Sequence, residues 1–193
     1  NIMKLSDLIK KRTSDVAELV FSLSDDVICR DIQLALDLLG KAVLNGSPIL
    51  VFGNGGSASD AQHIVAELVG KFLKERPSIN AICLNSNTSI LTAWSNDVSY
   101  DDVFSRQIEA FRTQDAVCWG ISTSGNSQNI VKGIEKAKSL GMDTITLCGA
   151  GGGQLNELSD VCIKVTSNST PRIQEMHLII YHLMCEVLEI GVV

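Results

Sequence analysis

The sequence predicts an α/β fold: a doubly wound, five-stranded parallel sheet flanked by helices, with an added helical segment at the N-terminus. Three observations carry this. Short continuous apolar runs without alternation recur along the chain, as in strands buried on both faces. Stretches with apolar residues three or four apart, the helical rhythm, separate them. Two Gly/Ser-rich loops, at 53–57 and 120–127, each stand where an apolar run gives way to a helical stretch.

In chain order, residues 4–45 read as two helices, the first marked by Leu5, Leu8, Ile9, Val16, Leu19, Val20 and Leu23, the second by Ile28, Ile32, Leu36, Leu39 and Val43. Ser24-Asp25-Asp26 supplies a helix start between them and Asn45-Gly46 a stop. Pro48–Phe52 is the first strand, followed by a helix over 58–74. Ile79–Leu84 is the second, followed by a mostly helical 88–111; Asp115–Ser122 is the third and leads into a helix over 128–140. Met142–Cys148 and Val161–Val165 complete the sheet, and a helix from about 171 to 190 closes the chain. Residues 1–45 are expected to pack on the core and serve oligomerisation, with 46–193 forming the sheet domain; Met3, behind Asn1-Ile2, reads as the natural start.

The composition narrows the function classes. Of 193 residues, 45% are hydrophobic, 20% are charged and only 3 are Pro, so a disordered chain is excluded. A net charge of −6 argues against general nucleic-acid binding. No apolar run reaches the roughly 18 residues of a membrane span, and no charged-then-apolar leader stands at the start, so a cytoplasmic location is expected. The six cysteines have no CxxC spacing, and four lie in strand-like runs as small hydrophobes, which fits a reduced compartment.

The strongest local signal is Gly120-Ile-Ser-Thr-Ser-Gly-Asn-Ser127, at a strand-to-helix junction. One helix cap needs one hydroxyl residue, yet four stand here: Ser122, Thr123, Ser124 and Ser127. Hydroxyls beside the unpaired amides of a helix N-terminus hold a phosphate without Lys or Arg. The other loop, Gly53-Asn-Gly-Gly-Ser-Ala58, satisfies the dinucleotide pattern G-x-G-x-x-A. The next strand, however, ends Leu84-Asn-Ser-Asn-Thr88 with no acid to hold a ribose, so no nucleotide cofactor is expected. This loop instead brings backbone to a sugar or phosphate, with Asn54 and Ser57 as partners. His63 and Glu67 share one helix face, being four apart. The last helix carries Gln174, Glu175, His177 and His182 in an apolar stretch, so all three histidines fall on two helices.

Taken together, Gly53–Ser57 with His63 and Glu67, Gly120–Ser127, and Arg172-Ile-Gln-Glu-Met-His177 with His182 resemble the sugar-isomerase (SIS) domain family, and more narrowly its branch acting on phosphorylated heptoses. The resemblance covers the whole chain, including Ser95-Asn-Asp97. It implies the SIS fold and conversion of sedoheptulose 7-phosphate to a heptose 7-phosphate, an entry to lipopolysaccharide or other surface glycans. It also implies a homotetramer with active sites between subunits, and zinc as a cofactor. Carried over by position, Glu67 and His182 become the acid–base pair, and His63, Glu67, Gln174 and His182 the zinc set. Asn54, Gly55, Gly56, Ser57, Glu67, Asn96, Asp97, Ser122, Thr123, Ser124, Ser127 and Gln174 become substrate contacts.

Such a reaction needs one base at a carbon-bound proton and a second group serving the oxygens, roles that a glutamate and a histidine fill. Gln174 and His182 are about 12 Å apart along one helix, so either a break near Gln174 or ligands from different subunits is expected. A rival from the same family is a non-catalytic SIS protein that partners the bacterial replication initiator. That cousin carries an amide at the position of His182, so the histidine here argues for an enzyme.

Overall fold

Each of the five apolar runs forms a strand in the computed structural model, which describes residues 4–191; the reading of Met3 as the natural start lies outside the described residues. The strands β1 (Ile49–Gly53), β2 (Ala81–Cys83), β3 (Val117–Ile121), β4 (Asp143–Cys148) and β5 (Val161–Lys164) pair in parallel in the order β2-β1-β3-β4-β5. The helices are α1 (Leu5–Ser22), α2 (Asp26–Leu44), α3 (Gly56–Val69), α4 (Thr88–Asp97), α5 (Val103–Phe111), α6 (Gln128–Ser139), α7 (Leu155–Leu158) and α8 (Thr170–Gly191).

The absence of alternation in the strands has its cause in this layering. Ile49 and Val51 of β1 join the apolar layer built with α2, α3 and α8, while Leu50 and Phe52 join the layer built with α5 and α6. Both faces of β1 and β3 are therefore dry, and all five residues of each are buried. From β1 the chain steps to β2 on one side and returns to β3 on the other. That reversal opens a crevice at the carboxyl ends of β1 and β3, where ligands of such sheets bind.

The N-terminal helices differ in how they pack. α2 is capped by Asp25, whose carboxylate accepts the Val27 amide at 2.9 Å, and it buries Ile28, Ile32, Ala35, Leu36, Leu39 and Ala42. α1 contributes no buried residue, and leaves Leu5, Ile9 and Phe21 well exposed.

Two expectations about elements are corrected. The helix expected over 58–74 begins at Gly56 and ends at Val69, with Gly70 at its end. Beyond it the Phe72, Leu73 and Lys74 amides donate to the Glu189 carboxylate at 3.0, 2.7 and 2.8 Å instead of continuing the helix. Arg76, as buried as Glu189, lies 3.4 Å from that carboxylate and donates to the Glu67 and Leu68 carbonyls at 2.7 and 2.8 Å. Burial works against the charge on Glu189, but the three amides and Arg76 prevail and hold its carboxyl below the usual range. The stretch 88–111 is mostly helical as expected, as α4 and α5 on either side of a 3-10 turn at Tyr100–Asp102, and α7 was not foreseen. Finally, α8 runs unbroken past Gln174 to Gly191, so there is no break near Gln174.

All six cysteines are free, with Cys83, Cys118, Cys148 and Cys162 in strands as expected. No helix of the described chain is long and apolar enough to cross a membrane.

Candidate active site

The loop after β3 is shaped by Gly125, whose φ of +66° suits glycine and whose absent Cβ would overlap the Gly152 carbonyl. The Gly125 amide donates to the Ser122 carbonyl at 3.0 Å, folding the loop back toward its strand. The Ser122 hydroxyl donates to Ser127 Oγ at 3.2 Å. Ser127 is the N-cap residue of α6, yet its hydroxyl caps no backbone amide. Ser122 and Ser127 thus meet at a helix N-terminus whose first-turn amides take no side-chain cap, an arrangement suited to an anion, while the Ser124 hydroxyl accepts the Asn126 amide at 3.2 Å.

Across the crevice, the loop after β1 is held from both sides. Asn85, at the end of the β2 run, accepts the Gly53 amide at 3.1 Å and donates to its carbonyl at 2.8 Å. Asn54 forms a reciprocal amide pair with Asn129 of α6, 2.8 Å in each direction, and its Oδ1 also accepts the Tyr100 hydroxyl at 3.0 Å. That pairing spends one Asn54 N–H hydrogen and leaves the other for a ligand. Gly56 opens α3 against Gln174, and a Cβ there would lie 2.8 Å from the Gln174 amide carbon, so any larger residue would push that amide aside.

Along the seam between α3 and α8 the polar residues follow one another. His63 Nε2 lies 3.0 Å from Glu67 Oε1, and His63 Nδ1 lies 2.9 Å from the Tyr181 hydroxyl, which is itself 3.5 Å from Asp60 Oδ1. The rings of His63 and His182 meet edge to face with centroids 5.0 Å apart, and the Phe72 ring packs on His182 at 5.5 Å, tilted by 49°. His182 Nε2 is buried and has no partner, as is Asp60 Oδ2. Burial, aided by the Asp60 carboxylate, pushes the Tyr181 phenol up, so it stays a hydroxyl. Burial also raises the Asp60 carboxyl against the Tyr181 hydrogen bond. His177 is different: fully buried, it bonds the Cys148 carbonyl at 3.2 Å, and burial lowers its pKa to about 4. It is a neutral core histidine.

Asn54, Gly55, Gly56, Ser57, Ser122, Thr123, Ser124 and Ser127 thus lie in or next to the two loops at the carboxyl ends of β1 and β3, with Gln174 against Gly56 and with His63, Glu67 and His182 farther along α3 and α8. Asn96 and Asp97 stand apart: exposed at the end of α4, they bond each other at 2.9 Å. The residues that reach the loop instead are Tyr100 and Asn129, together with Asn85; none was foreseen, since their partners are 46, 75 and 32 residues away. The four donors of the implied zinc set do not converge either. Gln174 sits at the Gly56 end, His182 two turns along, and among the described residues no three His, Cys, Asp or Glu side chains form a metal-holding group. One chain by itself does not fit zinc.

A parallel sheet with a hydroxyl-lined anion loop at its switch point, beside a seam of histidines and a glutamate, is the architecture of sugar-phosphate isomerases. The chain belongs to the SIS domain family, whose family model matches residues 16–149. Within that family it is similar to phosphoheptose isomerases. The one from Helicobacter pylori strain P12 is 49% identical over 158 residues, 82% of each chain. A probable phosphoheptose isomerase from Thermoplasma acidophilum is 50% identical over 153 residues, 79% of this chain and 84% of that one. Among solved structures, the phosphoheptose isomerase of Neisseria gonorrhoeae superposes with a TM-score of 0.90 at 33% identity, covering 96% of this chain and 99% of the other. That of Francisella tularensis gives 0.92 at 30%, covering 97% and 99%.

Proposed function

We propose that this chain is an aldose–ketose isomerase converting sedoheptulose 7-phosphate to D-glycero-D-manno-heptose 7-phosphate, the first step toward nucleotide-activated heptose for lipopolysaccharide or other surface glycans, in the cytoplasm. The observation that carries the reading is the placement of the two Gly/Ser-rich loops at the carboxyl ends of the neighbouring strands β1 and β3, with α3 leading from one of them to the histidine seam. The loop hydroxyls and free α6 amides take the phosphate, and the His63–Glu67–His182 seam lies about 10 Å farther along α3 from Gly56. An extended seven-carbon sugar phosphate spans such a length.

In this scheme the phosphate is bound by Ser122, Thr123, Ser124 and Ser127, and the sugar hydroxyls by Asn54, Ser57 and Gln174. His182 moves a proton on the sugar oxygens to open the ring. Glu67 takes the proton from C1, the C1–H electrons form the C1=C2 bond of the enediol, and O2 gains a proton. Glu67 then returns its proton to C2 while O1 gives up its own and becomes the carbonyl. The hydrogen stays within the sugar, which agrees with a second strand that ends without the acid a dinucleotide's ribose requires.

The reading includes a homotetramer with sites between subunits. Its support is the exposed apolar stripe Ile179, Leu183, Val187 and Ile190 on α8, next to the row that carries His182, together with the unburied α1. A second copy on that stripe closes over the seam. Zinc enters no step: its donors, if it binds, come from two copies. The test is Glu67→Gln and His182→Ala. Both are expected to lower kcat by roughly 10²-fold or more while the assembly, checked by light scattering, survives. Full activity in either variant overturns the roles assigned here.

A further inference from the structure

The amide pair of Asn54 and Asn129 is symmetric in its own bonds. Asn54 Nδ2 donates to Asn129 Oδ1 and Asn129 Nδ2 donates to Asn54 Oδ1, each at 2.8 Å. If both side chains turn over together, nitrogen and oxygen exchange places and both bonds persist. The two arrangements differ in what Asn54 shows to the rest of the crevice: a free N–H in one, a free oxygen lone pair in the other. One group outside the pair separates them. The Tyr100 hydroxyl donates to Asn54 Oδ1 at 3.0 Å. Both lone pairs of that oxygen are then taken, by Asn129 and Tyr100, and the unspent group of the Asn54 amide is a single Nδ2 hydrogen.

Tyr100 is 50% exposed, so its place is set by its neighbours rather than by burial. It opens the 3-10 turn Tyr100–Asp102, whose N-cap residue Ser99 accepts the Asp101 amide at 3.1 Å. Asp102, the last residue of the turn, accepts Lys132 Nζ on both carboxylate oxygens at 3.1 Å. Lys132 follows Asn129 by three residues and shares its face of α6. One helix thus anchors both groups that meet Asn54.

We propose that Tyr100 is a positioning residue for sugar binding: its hydroxyl, donated to Asn54 Oδ1, holds the Asn54 amide turned so that it offers the ligand an N–H and no acceptor. The inference rests on the proposed role of Asn54 as a sugar contact and adds the orientation of that contact. A carbonyl oxygen, or a sugar hydroxyl turned to accept, is met by Asn54. A hydroxyl turned to give its hydrogen finds no lone pair there.

The experiment compares the full-length protein with Tyr100→Phe, which keeps the ring and removes the hydroxyl. The side-chain carbonyl carbon of Asn54, read by ¹³C NMR without substrate, is expected to move upfield in the variant as its oxygen loses a donor. KM for the sugar phosphate is expected to rise roughly threefold to tenfold at nearly constant kcat. In an Asn54→Ala background the same change is expected to have no further effect on KM. An unmoved Asn54 carbon or an unchanged KM overturns the proposal. So does an effect that persists undiminished in Asn54→Ala, which makes Tyr100 a sugar contact in its own right. Should Tyr100→Phe fail to fold, Asn54→Asp decides: it keeps the oxygen that Tyr100 meets and removes the N–H, and an unchanged KM there overturns the proposal. Absence of heptose phosphate turnover removes the proposed function, while the Asn54 carbon, read without substrate, still judges the Tyr100 hydrogen bond.

Discussion

Asn54 and Asn129 face each other as a reciprocal amide pair, each donating to the other at 2.8 Å across the crevice. The pair ties the loop after β1 to the first turn of α6, and so sets the distance between the sugar-contacting and phosphate-contacting sides of the site. Asn129 is 3% exposed and cannot turn to water for a substitute partner. In Asn129→Asp the residue keeps its shape and its acceptor but loses the donor facing Asn54 Oδ1. KM for the sugar phosphate is expected to rise roughly tenfold, equivalent to about 1.4 kcal/mol, with a smaller change in kcat. Unchanged steady-state kinetics would remove the pair from substrate binding.

Ser127 separates capping from ligand binding. It occupies the N-cap position of α6, but its hydroxyl accepts from Ser122 and caps nothing. Loss of a working cap costs about 1 kcal/mol, so Ser127→Ala is expected to melt within a degree or two of the parent while its KM rises several-fold. A clear drop in melting temperature with an unaltered KM would reverse the assignment.

These residues also show how far the sequence was legible. The apolar runs 79–84, 115–122, 142–148 and 161–165 contain four of the observed strands, and β1 runs one residue past the run 48–52 to Gly53, because a strand buried on both faces leaves an unbroken hydrophobic signature. The loops were equally plain, since Gly and clustered hydroxyls are local signals. What failed was non-local. Nothing near Phe72–Lys74 announces that Glu189, more than a hundred residues on, captures their amides and ends α3 early. Tyr100, Asn129, Asn85 and Tyr181 were passed over for the same reason: each is an ordinary residue in its own neighbourhood and becomes part of the site only through a distant partner. Asn96 and Asp97 show the converse, a local match that the fold of one chain leaves at the surface.

His177 makes stability depend on pH. Its pKa is lowered by burial from 6.5 to about 4. The unfolded chain therefore takes up a proton first as pH falls. The stability of the neutral folded form is complete above 6.5, declines below it, and levels off near the folded value. The 2.5-unit gap between 6.5 and about 4 corresponds to roughly 3 kcal/mol. His177→Gln keeps a donor for the Cys148 carbonyl and does not titrate. Urea unfolding is expected to show the parent losing that much relative to the variant between about pH 7 and pH 4. Parallel pH profiles of the two would show that His177 does not titrate on unfolding.

The segment 70–77 depends on one buried carboxylate. In Glu189→Gln the amide nitrogen opposes the Phe72, Leu73 and Lys74 N–H groups, and Arg76 loses its counter-charge. Those three amides are expected to lose hydrogen-exchange protection. His182, packed on Phe72, becomes less well fixed, and kcat falls with the loosened segment. Protection that persists in the variant would mean that the segment is held by something other than Glu189.

The central claim is that this crevice isomerises a seven-carbon sugar phosphate, and ¹H NMR of sedoheptulose 7-phosphate incubated with the purified protein tests it most directly. The expected result is growth of the anomeric proton signals of a heptose 7-phosphate until an equilibrium mixture is reached, abolished in Glu67→Gln. A spectrum unchanged over hours at micromolar protein would contradict the account.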